Sequence, residues 1–255
     1  MIELKNITLN LTGRKILDNV SLSIEQNSTS VILGSSGAGK STILKIILGL
    51  LKADSGEVIV DGTNITNSSE NEVLEVRRNM AMVFQGNALF DSLTVEENTA
   101  FFLMEKNNCS FDKVQSKVEE VLSFVNLSGA EKLYPDQLSG GMKKRLAIAR
   151  ALALDPKIIL FDEPTTGLDP INSKGVLTLI EKLKTTGTTS VIVTHILNDA
   201  IAIGDVLTVI DEGRVIESGG VEQILSSKDK FIKEFFYEIF QDSPLIMNNR
   251  QSEIV

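Results

Sequence analysis

The sequence predicts an α/β fold built on a largely parallel sheet, and two patterns carry that expectation. Short apolar runs at 29–33, 80–84, 158–161, 190–194 and 206–210 are bounded by turn residues. Several are apolar on both faces, as strands covered by helices on either side must be. Between the runs lie apolar residues at helical spacing: Ile43, Ile46, Ile47 and Leu50, then Val114, Val118, Val121, Leu122 and Val125. Alternating strands and helices give parallel strands joined by helical crossovers. The opening of the chain differs. Residues 2–11, 20–24 and 57–60 alternate with period two, and Asp54-Ser55-Gly56 and Asp61-Gly62 supply turns, which predicts a small antiparallel layer beside the main sheet. Residues 86–150 lack strand-like runs and read as a helical subdomain inserted into the α/β core.

The 255 residues carry 25 Lys plus Arg against 34 Asp plus Glu, a formal net charge of −9. An acidic surface repels phosphate backbones, so nucleic acid is not an expected partner. A local phosphate site remains open to such a chain, because backbone N–H groups build one without net positive charge. The single Cys109 excludes an intramolecular disulfide framework and a multi-cysteine metal site, and reads as an ordinary thiol. The opening MIELKNITLN has the alternation of a strand rather than the apolar core of a signal peptide. No apolar run approaches the ~18–20 residues that span a bilayer, so the chain is expected in the cytoplasm.

The most informative segment is Gly34-Ser35-Ser36-Gly37-Ala38-Gly39-Lys40-Ser41, with Thr42 following. It fits G-x-x-x-x-G-K-[ST], follows an apolar strand and opens a helix, which is the context that the motif needs. Inward-turned amides and a helix N-terminus offer positive potential to phosphate oxygens. Lys40 has the reach for the β- and γ-phosphates, and the Ser41 hydroxyl suits Mg²⁺. A second element, Ile158-Ile159-Leu160-Phe161-Asp162-Glu163, is a buried strand ending in two carboxylates, at the end of the sheet where such folds bind ligands. Asp162 suits outer-shell binding of Mg²⁺, and Glu163 is placed to polarise a water. His195 follows the run 190–194 and Gln85 follows the run 80–84, so both reach the same edge.

With these residues goes Leu138-Ser139-Gly140-Gly141-Met142. The combination resembles the nucleotide-binding subunits of ATP-binding cassette (ABC) transporters, in which this signature follows the phosphate loop and Gln85 and precedes Asp162-Glu163, Gly167-Leu168-Asp169 and His195. The resemblance covers roughly residues 1–225. It implies a phosphate-loop, RecA-like core at 1–85 and 151–225 and a helical subdomain at 86–150. They lie within an ATPase domain over 1–240, and a C-terminal helix and tail run over 226–255. It further implies a head-to-tail dimer with two ATP molecules in its interface. Each would be held by residues 34–42 of one copy and by Ser139, Gly140 and Gly141 of the other, with Asp169 bridging the copies. Glu163, His195, Lys40 and Gln85 would act in hydrolysis, and Ser41, Gln85 and Asp162 would hold Mg²⁺. Ser139 suits this reading physically, since a serine N-cap and the amides after it present positive potential. Lys143, Lys144 and Arg145 read as a solvated helix face. Leu11 stands where the family has an aromatic ring on the adenine.

Met142 replaces the usual Gln of the signature. With Ala88-Leu89-Phe90 and Glu97-Asn98 it is similar to the Mla- and Mce-associated phospholipid-transport ATPases. That likeness implies integral membrane permease subunits as partners, with a Mce-type lipid-binding protein and a small cytosolic accessory protein. The chain would then sit on the cytoplasmic face of the inner membrane. An importer ATPase for an amino acid or ion, and a soluble ATPase of iron–sulfur assembly, are the alternative readings. Finally, Phe231, Phe235, Phe236, Ile239 and Phe240 make an apolar helical stripe, expected to pack on the chain's own core or against a partner. Residues 241–255 are expected to fray.

Overall fold

The computed structural model describes residues 1–105 and 110–241, with side chains through residue 237. The expected antiparallel layer forms, its second strand starting at Arg14 rather than Val20 and a fourth, two-residue strand adding to it. Strands β1 (Ile2–Leu11), β2 (Arg14–Ile24), β4 (Ser55–Val60) and β5 (Thr63–Asn64) make a four-stranded sheet in the order β2-β1-β4-β5. The main sheet has six strands in the order β10-β9-β3-β8-β7-β6. They are β3 (Thr29–Leu33), β6 (Met80–Val83), β7 (Ile158–Asp162), β8 (Thr189–Thr194), β9 (Val206–Asp211) and β10 (Arg214–Gly219). All neighbours are parallel except β9 and β10, whose antiparallel hairpin closes one edge.

The helices are α1 (Lys40–Ile47), α2 (Glu70–Arg77), α3 (Val95–Glu105), α4 (Phe111–Phe124), α5 (Gly140–Leu152), α6 (Pro170–Thr185), α7 (Leu197–Ile203), α8 (Val221–Leu225) and α9 (Lys230–Gln241). The main sheet is covered on both faces, which is why its strands read as unbroken apolar runs. Ile32, Leu160, Val191 and Val193 pack with α1 and the antiparallel sheet, while Leu33, Phe161, Ile192 and Val209 pack with helices from α3 to α9.

Two sequence expectations change, and a third is refined. Helix α1 closes at Leu48, whose amide donates to Leu44 O at 3.0 Å, so Leu50 lies outside it and is 54% exposed. Lys144 is not on a solvated face but is 2% exposed. In α9 the deeply buried side chains are Ile232 and Phe236, with Phe231 and Phe235 packed more loosely against the core. The side chains of Ile239 and Phe240, Cys109 and the tail beyond 241 fall outside the described residues. Among the described residues no helix is long and apolar enough to cross a membrane.

Candidate nucleotide site

Sheet register gathers the candidate residues. Leu33 is opposite Thr194, Asp162 opposite Val193, and Val83 opposite Phe161. Gly34, His195, Glu163 and Gln85 therefore leave four adjacent strands at the same edge, where parallel sheets of this class bind ligands.

The phosphate loop runs from β3 into α1. Gly39 is the N-cap of α1 with φ +99°, a left-handed conformation that L side chains rarely adopt; a Cβ there would also lie 2.7 Å from Leu17 Cδ2. Ser36 and Gly37 are exposed, Ala38 is buried, and Thr42 sits half-buried in the first turn of α1. Ser35 Oγ donates to Asp211 Oδ1 at 3.3 Å. Lys40 is buried and curls back over the loop, its Nζ donating to Gly34 O and Ser35 O at 2.9 Å each. Burial pushes its ammonium down from the ordinary lysine range, against the pull of Glu163 and Asp162. Beside the loop lies a cleft of about 350 Å³ lined by residues 14–16, 35–38 and 211–213. Its lining holds no aromatic side chain. Leu11 is opposite Arg14 on the β1–β2 hairpin and is 37% exposed.

At the end of β7 two carboxylates take different partners. Asp162 Oδ1 accepts from Ser41 Oγ at 2.7 Å. A hydroxyl and a carboxylate side by side are the all-oxygen donor set that suits Mg²⁺, which takes one or two protein ligands and completes its shell from phosphate and water. Among the described residues no three His, Cys, Asp or Glu side chains group to hold a metal by themselves.

Glu163 adopts φ +49°, a backbone conformation costly for a non-glycine residue and typical of functional positions. Its carboxylate is buried in a cage. Thr166 Oγ1 donates to Oε2 at 2.9 Å and Thr194 Oγ1 at 3.4 Å. His195 Nδ1 lies 3.0 Å from Oε1, and Lys40 Nζ 3.8 Å from the same oxygen. Thr165 Oγ1 donates in turn to Asp199 Oδ2 on α7, and burial pushes the Asp199 carboxyl up. Thr166, Thr194 and Asp199 escape a sequence reading, since an isolated hydroxyl or acid in a turn has many uses.

The remaining candidates stand apart from this cluster. Ser139 is the N-cap of α5, its Oγ accepting from Met142 N at 3.3 Å. The next two glycines pack on Leu168 before α6 and on Asn172 in its first turn. A Cβ on Gly140 would touch Leu168 at 3.5 Å, and one on Gly141 would fall 2.1 Å from Asn172 Oδ1. Asn172 Nδ2 donates to Asp169 Oδ2 at 2.5 Å, and Asp169 Oδ1 caps α6 by accepting from Ile171 N and Asn172 N. No hydrogen bond among the described residues joins 139–141 or Asp169 to the phosphate loop. Gln85 reaches the right edge but is exposed; it is held by its backbone, whose carbonyl accepts from Lys144 Nζ at 3.0 Å. Burial pushes the Lys144 ammonium down to about 8, with Asp162 opposing.

The ABC transporter family profile matches residues 17–166, which span the phosphate loop, the signature and Asp162-Glu163. The chain belongs to the ABC transporter family. It is accordingly an ABC-type ATP hydrolase with the cassette fold. It is 40% identical over 236 residues to the intermembrane phospholipid transport system ATP-binding protein MlaF of Haemophilus influenzae, covering 92% of this chain and 89% of that one. It is 43% identical over 249 residues to the methionine import ATP-binding protein MetN of Haemophilus influenzae (strain 86-028NP), covering 95% of this chain and 72% of the relative. Among solved structures, a dimeric post-hydrolysis state of the ATP-binding cassette MJ0796 bound to ADP and Pi matches with a TM-score of 0.80 at 35% identity, covering 87% of this chain and 99% of the other.

Proposed function

We propose that this ABC ATPase drives phospholipid transport in a bacterial envelope. Two copies close head to tail around two ATP molecules and reopen after hydrolysis. The observation that carries the chemistry is the convergence at one sheet edge of Lys40, the Ser41–Asp162 pair and the Glu163–His195 pair. In this reading Mg²⁺, when bound, neutralises phosphate charge beside Ser41 and Asp162, with Gln85 as a further ligand. The amides of 34–42 hold the phosphates, and Lys40 leaves its two carbonyl acceptors to stabilise charge on the γ-phosphate. Glu163 orients and deprotonates the attacking water, and His195 contacts the γ-phosphate across the same edge.

The exposed face of the signature supports the dimer. Ser139 presents an N-capped helix start to a second copy's nucleotide, and Asp169, tied to the same turn, meets the partner beside it. On this reading residues 86–150 act as a helical subdomain inserted between 1–85 and 151–225, and the segment from 226 onward as a C-terminal helix and tail.

The phospholipid cargo is favoured by Met142 in the signature and by Ala88-Leu89-Phe90, and by the match to MlaF along nearly the whole of both chains. The match to MetN keeps a small solute as the second reading. The partners then include a membrane permease, a Mce-type lipid-binding protein and a small accessory protein, placing the chain peripherally at the inner membrane. The test is to tag the chain in its native cell, solubilise membranes gently and identify what co-purifies. A permease with a Mce-type protein and phospholipid is the expected result. A permease with a solute-binding protein replaces the cargo, and recovery without any membrane subunit removes transport.

A further inference from the structure

We propose that Lys144 is a positioning residue that fixes the Gln85 loop to the signature helix. Shifts of Ser139–Gly141 on nucleotide binding then move Gln85 as part of the same body. The inference rests on the ATPase reading above for its consequence, but its geometry stands alone.

Lys144 is among the largest fully buried side chains, with 2% exposure, and a buried ammonium is tolerated only where its protons find partners. Its partners are two backbone carbonyls, Gln85 O at 3.0 Å and Phe84 O at 3.3 Å. No carboxylate lies within ion-pair distance of it among the described residues. The strand β6 has just ended there, so sheet hydrogen bonds no longer hold the chain.

Beyond Gln85 the backbone takes a conformation that little else would keep. Asn87 and Ala88 have φ of +63° and +51°, two successive non-glycine residues in the left-handed region, each disfavoured by sterics. Their amides close tight turns on Phe84 O at 3.0 Å and Gly86 O at 2.8 Å. Arg150 completes the grip from the same helix, donating to Ala88 O at 2.5 Å and Asn87 O at 3.4 Å, with its guanidinium 5.4 Å from the Phe90 ring centre.

Helix α5 thus starts at the glycines of the signature and carries, five residues after Ser139, the cation that holds Gln85. At ~1.5 Å of rise per residue the two lie only about 7.5 Å apart along one rigid rod. Lysine suits the task because three donors on a thin stem reach two converging carbonyls. A neutral side chain of similar length without donors would remove the Lys144 bond from both carbonyls and leave Phe84 O with only the Asn87 amide among these contacts.

The test compares Lys144→Met, which keeps the stem and removes the donors, with Lys144→Gln, which restores an amide donor, in the full chain. Hydrogen exchange of nucleotide-free protein reads the loop directly. Lys144→Met is expected to speed exchange at Asn87 and Ala88 while leaving the phosphate-loop amides unchanged. Steady-state hydrolysis is expected to show kcat lower on the order of tenfold, because a displaced ligand costs rate steeply. Fluorescent-nucleotide affinity should stay within about twofold, and Lys144→Gln should recover part of the rate. Unchanged exchange in the loop overturns the proposal, as does faster loop exchange with an unaltered kcat. Parallel losses of nucleotide affinity, melting temperature and rate that Lys144→Gln does not relieve also overturn it, since they mark a general packing defect. Failure of the ATPase reading shows separately, as a Glu163→Gln variant that still hydrolyses ATP at the parent rate.

Discussion

The Glu163 half of the site and the Gln85 half reach the same sheet edge by different means. Glu163, Asp162, His195 and Gly34 stand at or just beyond the ends of strands whose register is set by backbone pairing, and their neighbouring side chains then bond to each other. The Gln85 loop leaves β6, which among the described residues pairs on one side only. Its backbone is held by side chains borrowed from other elements: Lys144 and Arg150 from α5, and Asn98 from α3. Asn98 is fully buried, accepts from Phe90 N and donates to carbonyls of Phe90, Leu93 and Thr94 within 3.0 Å. The first arrangement fixes reacting groups to the sheet. The second lets the position of a loop depend on a group of helices.

Substitutions that separate chemistry from folding sharpen this contrast. Asp162→Asn is expected to have the largest effect, lowering Mg²⁺-dependent hydrolysis by at least about 10²-fold; circular dichroism melting should change little, because Ser41 Oγ still finds an acceptor. Asn98→Ala should do the reverse. Several buried backbone groups lose their partner, so a loss of about 3 kcal/mol is expected in denaturant unfolding, with the remaining folded protein still binding nucleotide. If Asn98→Ala instead spares stability and abolishes hydrolysis, the two halves do not differ as described. Thr166→Val removes one donor from the Glu163 cage and should lower kcat a few-fold, roughly the scale of one hydrogen bond of about 1 kcal/mol, with nucleotide affinity unchanged.

The smallest effect concerns Asp199. Its folded pKa is raised by burial, so between the ordinary aspartate value and the raised one the folded state binds more protons than the unfolded state. Stability therefore falls as pH rises through that window, and the penalty is complete above it. Asp199→Asn keeps an acceptor for Thr165 and removes the charge. It should gain under about 1 kcal/mol near neutral pH, and the gain should vanish as pH falls below the ordinary aspartate range. Thermal melts across pH check this, and a loss at neutral pH would show that the charge itself is needed.

The strand-end half of the site is legible in the sequence because it follows from local patterns. An apolar run, then Gly34 or Asp162-Glu163 or His195, fixes both position and edge before any contact is known. The helix-held half is not legible in this way. Lys144 sits between Lys143 and Arg145 and looks solvated, yet α5 buries Leu146, Ala147, Ile148 and Ala149 in succession, so it has no continuous polar face on which periodicity could place a lysine. The cage around Glu163 is hidden for another reason: Thr166 and Thr194 are 28 residues apart in sequence and meet only when β7 and β8 pair. Most of the antiparallel layer is readable from period-two alternation and its turns, whereas β5 and the start of β2 are not, and the short β10 edge strand offers only Val215 and Ile216 among polar neighbours.

The strand order also dictates a schedule for the growing polypeptide. β3, which delivers the phosphate loop, pairs only with β8 and β9, and its first partner begins at Thr189. The antiparallel sheet is complete by Asn64. During synthesis, then, the first sheet has all its strands early, while β3 waits, apolar on both faces, until about three quarters of the chain has left the ribosome. Closing so long a loop is slow and leaves an apolar edge exposed meanwhile. Truncated nascent chains ending before β8 should bind chaperones and not nucleotide, and the capacity to hold phosphate should arrive late and in one step.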